Sequence, residues 1–137
     1  KKYNFSVEGD FFSWVGNEIC LFSTEGSAEN YKENFSLAIR SSNIQKTKES
    51  LKSIHNSTKN TNQTEYQNFK IQNLGLTNFF DLTLGQQFKW VTNSYYIILE
   101  DYVVFANSES NLKHIIKMLK IPRFVNKIDK NFFKKKF

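Results

Sequence analysis

The order of apolar and polar positions along the chain predicts alternating strands and amphipathic helices. Residues 1–15 are apolar at Phe11, Phe12, Trp14 and Val15, a stretch too short to separate helix from strand, and Gly16-Asn17 signals a turn. From Glu18 to Thr24 the run Ile19, Cys20, Leu21, Phe22 is unbroken, as in a strand covered on both faces. After a polar loop, Phe35, Leu37 and Ile39 alternate with Ser36, Ala38 and Arg40, the period of a half-buried strand. Ser41 and Ser42 offer a helix N-cap, and Ile44, Thr47, Leu51 and Ile54 follow at helical spacing, with Lys46, Lys48, Glu49 and Lys52 on other faces. Asn56 to Glu65 reads as a polar loop, Tyr66 to Gln72 as one strand, and Leu74 to Phe88 as a helical or irregular apolar segment stopped or kinked at Gly85.

The sharpest pattern lies near the end. Tyr95 to Leu99 and Tyr102 to Ala106 are β-rich runs separated only by Glu100-Asp101, the spacing of a two-residue hairpin. Ser108 then caps a helix carrying Leu112, Ile115, Ile116 and Leu119, which Pro122 closes. A further amphipathic stretch runs from Val125 to Phe137. The order is β-β-α-β-α-β-β-α-α, with a strand pair, a Ser-capped turn and a helix recurring over 18–55 and 95–119. Short links favour an antiparallel sheet, so the expected class is α+β, an antiparallel sheet with helices packed on one face, built in part from two ββα units. One domain is expected over 1–120, followed by a basic amphipathic segment, 121–137, leading into further structure.

Three blocks resemble a known family. Trp14-Val15-Gly16-Asn17-Glu18-Ile19 is similar to its W-[IV]-G-x-E-[IV] turn and strand, and Phe79-Phe80 with Gly85-x-x-Phe88 to its F-x-x-x-x-G-x-x-F step. The run from Tyr95 through Asn107-Ser108, with Leu112 and Ile116 beyond, resembles its hairpin, N-S and capped-helix block. The family is an uncharacterised bacterial domain of unknown function from envelope or secreted proteins, in chains much longer than this one. The resemblance spans about residues 11–120. It implies an extracytoplasmic α+β domain (periplasm, envelope or secreted) and assigns no activity and no catalytic residue.

Charge changes the picture in one region. The 137 residues carry a net charge of +6. From Lys113 to Phe137 there are nine basic residues against one acid, a net +8, which leaves −2 for residues 1–112. The chain starts Lys1-Lys2 without Met, and is read as a piece of a longer protein. One Cys rules out an internal disulfide framework.

Candidate chemistry is sparse. His55 and His114 have no ligating partner at helical spacing, so a structural or solvent role is expected and no metal site. Cys20 sits in an apolar run without a base, where a thiol is inert. No nucleophile elbow, P-loop or dinucleotide fingerprint occurs, and the pairs Glu8/Asp10 and Glu100/Asp101 do not make an acid–base constellation. The expectation is no enzyme and no cofactor.

Two sets of residues remain as contact candidates. Phe79, Phe80, Phe88 and Trp90 sit in an irregular segment where an exposed cluster would form a protein-binding patch. Lys113, Lys117 and Lys120 line one helical stripe, continued by Arg123, Lys127, Lys134, Lys135 and Lys136. One Arg among nine cations argues against base recognition and so against nucleic acid, leaving peripheral contact with an anionic membrane as the stronger form of that reading. The leading expectation is a non-catalytic module of a larger extracytoplasmic bacterial protein, acting as scaffold or in contact with a protein partner or neighbouring domains of its own chain. The alternative is a basic binder of nucleic acid or anionic membrane through residues 113–137.

Overall fold

A computed structural model describes residues 3–24 and 31–119. A π-helical turn, Glu8–Phe12, leads into β1 (Val15–Ser23). A 3-10 turn at Tyr31–Asn34 opens β2 (Phe35–Ser41), and α1 (Ile44–Thr58) follows. Next come β3 (Gln63–Tyr66), β4 (Phe69–Asn73), α2 (Phe79–Leu84) and a 3-10 turn at Gln86–Phe88. The described chain closes with β5 (Tyr95–Leu99), β6 (Tyr102–Ala106) and α3 (Glu109–Leu119). The strands form one sheet in the order β1-β2-β6-β5-β4-β3, with antiparallel neighbours throughout. The α+β class with an antiparallel sheet is as the sequence predicts.

The strand-strand-helix plan occurs three times, once more than expected. Tyr66 to Gln72, read above as one strand, is a hairpin in which Tyr66 pairs with Phe69 across Gln67-Asn68. Both turn residues take positive φ, 52° and 71°, as a two-residue turn of primed type requires. The usual Gly is absent, so the apolar-polar alternation runs through the turn and hides it. The β5–β6 hairpin is as predicted, with Leu99 opposite Tyr102, and Glu100 takes the left-handed φ of 55°.

Helix starts follow side-chain chemistry. Ser108 Oγ accepts the Asn111 N–H at 3.0 Å, as expected. At α1 the cap is Asn43, whose Oδ1 accepts the Lys46 N–H at 3.1 Å. Ser41 plays a supporting role instead, taking the Asn43 N–H at 3.0 Å and bonding Thr47 Oγ1 at 2.6 Å.

The expected packing of helices on one face needs correction, because the sheet is covered on both. Leu37, Ile39, Val103 and Phe105 point to a core shared with Leu51 and Ile54 of α1, Phe79 and Phe80 of α2, and Phe5, Phe11, Trp14, Phe88 and Val91. The alternate residues Ala38, Val104 and Ala106, with Ile97, meet Leu112, Ile115, Ile116 and Leu119 of α3. Ser36 and Ala38 read as the polar or neutral side of β2, yet both are fully buried. Their small size lets α3 approach, and Ser36 Oγ accepts the Asn111 Nδ2–H at 3.1 Å.

The first block of the family-like pattern has structural reasons. Trp14 is fully buried and its Nε1–H donates to the Asp10 carbonyl at 2.9 Å. Gly16 lies in an irregular stretch of the β1–β2 ladder, where an added Cβ would stand 2.6 Å from the Arg40 carbonyl oxygen. Glu18, almost fully buried, is paired with Arg40, whose Nε also donates to Asp101 at 3.0 Å.

Candidate functional site

Phe79, Phe80 and Phe88 are at most 2% exposed, so the partner patch expected there is core. Their spacing is that of a short helix and a following turn whose inner side packs on Phe11 and Phe105. Trp90 is half-buried, its ring tilted against Phe35 at a centroid distance of 5.1 Å and covered by Lys32 Nζ. Of the basic stripe, Lys113 is paired with Glu109 at 3.0 Å and lies over the Tyr66 ring, while Lys117 is exposed. Lys120, Arg123, Lys127, Lys134, Lys135 and Lys136 lie outside the described residues. Cys20 is buried, and no group of three metal-ligating side chains occurs among the described residues. No described helix is long and apolar enough to cross a membrane.

What the fold does build is a cleft of about 690 Å³ between α1 and the β3–β4–β5 part of the sheet. Its helical wall is Lys48, Leu51, Lys52, His55 and Asn56, which share one face of α1 by their three- and four-residue spacing. Its floor is a cross-strand row, Gln63 opposite Gln72 and Gln72 opposite Tyr96, flanked by Lys70 and Ile98. Thr61, Asn68 and Phe69 complete the rim. The lining contains three lysines and no carboxylate. Glu65, opposite Lys70 in the ladder, is exposed, and none of the three lysines is in an ion pair among the described residues. Two like charges four residues apart on a helix cost about 0.2–0.5 kcal/mol where nothing offsets them.

The bottom of the cleft is ordered by one hydrogen-bond chain. His55 Nδ1–H donates to the Asn60 carbonyl at 2.7 Å, which fixes the loop after α1, and Nε2 meets the Tyr96 hydroxyl at 2.7 Å. That hydroxyl also lies 3.2 Å from Gln72 Oε1. It has one proton to donate. Donated to Nε2, it serves a neutral imidazole and turns the Gln72 amide nitrogen toward the phenol; donated to Gln72, it requires Nε2–H and an imidazolium. Burial pushes the Tyr96 hydroxyl far above its ordinary pKa, so it stays protonated in either arrangement.

Sequence reasoning placed His55 in a structural role, which the buried hydrogen bonds support, but missed the cleft. The assignment of Lys48 and Lys52 to faces away from Leu51 needs correction: their three- and four-residue spacing puts them beside Leu51 and His55, and that was the available signal. The other wall depended on the hidden β3–β4 hairpin.

Fold and site together define an antiparallel α+β domain with a carboxylate-free basic cleft between its first helix and an edge hairpin. By its sequence the chain belongs to the DUF3352 family, proteins of unknown function, whose model matches residues 1–125. No curated protein and no solved structure matches it.

Proposed function

We propose that this domain is a non-catalytic binding module that takes an anionic ligand in the cleft between α1 and β3–β5. One observation carries the reading: Lys48 and Lys52 from the helix and Lys70 from the sheet converge on a cavity of ligand size with no acid in its lining. A cleft lined by one sign of charge focuses the field and raises the local concentration of anions, an effect that salt screens. The wider setting, a module in a larger extracytoplasmic bacterial protein, is supported by the sequence resemblance alone. The cleft is a second place for an anion contact beside the 113–137 segment, in which Lys113 has Glu109 as its partner.

The test is anisotropy of pyranine, a fluorescent trisulfonate, titrated with the whole chain at low ionic strength. Saturable binding that weakens as salt is raised, and that drops in K48E/K52E, supports the module. Absence of saturable binding at low salt contradicts it.

A further inference from the structure

Resting on that reading, we infer that the ligand is an acidic saccharide, a polyhydroxylated chain bearing carboxylates. The argument is the polar content of the walls. Asn56, Thr61, Gln63 and Asn68 line the cleft with exposed side chains that have no side-chain hydrogen bond among the described residues. Gln72 gives Tyr96 one end of its amide and keeps the other for the cleft. An amide both donates and accepts, as does a sugar hydroxyl, so a row of hydroxyls satisfies these groups in pairs. An apolar anion such as a fatty acid would strip water from them and return no hydrogen bond.

The remaining lining agrees. Ile98, half-buried, is the apolar contact the floor offers to the C–H face of a pyranose, with Tyr96 and Leu51 packed beneath it. The cations stand on the helical wall and beside the sheet floor and are all lysine, point charges that attract carboxylates without the planar fork arginine offers phosphate. Single-stranded nucleic acid needs exposed rings on which bases stack, and the aromatic lining residues Tyr96 and Phe69 are buried and half-buried.

The experiment is a calorimetric titration of the whole chain with four probes in one low-salt buffer: tetragalacturonate, maltotetraose, decanoate and a short oligothymidylate. The inference expects tetragalacturonate to bind most tightly, and to lose about fivefold in affinity in each of N56L and Q63L, variants at exposed positions. Decanoate should bind those variants no worse than the parent. Preference for decanoate or oligothymidylate, weakened by K48E, overturns the saccharide and leaves the anion cleft standing. Equal binding of maltotetraose and tetragalacturonate overturns the acidic requirement. No binding of any probe overturns the inference, and the pyranine titration then decides whether the anion cleft stands.

Discussion

Asn107→Ala removes one side chain that holds a whole loop to the sheet. Asn107 follows β6 and is buried. Its Oδ1 accepts the backbone N–H of Thr92 at 2.7 Å and of Asn93 at 3.1 Å, and Nδ2 donates to the Trp90 carbonyl at 2.8 Å. Truncation takes these bonds from three backbone groups of the loop, and a longer one, 3.4 Å, from the exposed Glu33 carbonyl. Each loop group costs about 1–3 kcal/mol when kept from water, and because Trp90, Thr92 and Asn93 are half-buried the lower end applies, giving a loss of about 3 kcal/mol. Urea denaturation followed by tryptophan fluorescence reads this as a midpoint lowered by roughly 1–2 M at unchanged slope. Asn107→Leu keeps the volume and removes the same bonds, so it should lose about as much. A loss under about 1 kcal/mol for Ala, or recovery in Leu, would refute the hydrogen-bond account.

Gly16→Ala should cost about 1–3 kcal/mol, read by thermal denaturation, because its Cβ meets the Arg40 backbone rather than a movable side chain; parental stability would show that the ladder yields. Arg40→Met should destabilise by stranding the buried Glu18 carboxylate, and Glu18→Met in the same chain should restore stability; additive losses in the pair would contradict this. Tyr96→Phe should cost about 1–2 kcal/mol at neutral pH by unpairing His55 Nε2. The folded chain keeps the Tyr96 proton that the unfolded chain releases near pH 10.0, so its contribution is complete below that value and is lost as pH rises beyond it. Stability of the parent should therefore fall more steeply above pH 10.0 than that of Tyr96→Phe, and parallel alkaline curves would contradict the buried hydroxyl.

The β5–β6 hairpin and the Ser108 cap were legible because local chemistry and global fold agree there: β-branched and aromatic runs at two-residue spacing, then a hydroxyl before an apolar stripe. The β3–β4 turn was not, because Gln67 and Asn68 accept a left-handed backbone that the surrounding strands impose. The second covered face was hidden by size, since Ser36 and Ala38 look like a solvent side until α3 is laid over them. The aromatic segment was misread for a related reason: Phe79, Phe80 and Phe88 lie among polar neighbours, and burial follows which side of a short helix faces the sheet. The cleft joins α1 to a hairpin across the sheet, and no local pattern reports a juxtaposition of that range.

Charge-matched substitution decides whether the cleft is the anion site. Lys48→Glu, Lys70→Glu and Lys117→Glu each change the net charge equally, but the first two line the cleft and the third lies on α3 at the opposite face of the sheet. With tetragalacturonate or pyranine as probe at low salt, the account predicts about a fivefold or greater loss of affinity for Lys48→Glu and Lys70→Glu, with Lys117→Glu close to the parent. Equal losses in all three would show that binding follows net charge, and would contradict a site in the cleft.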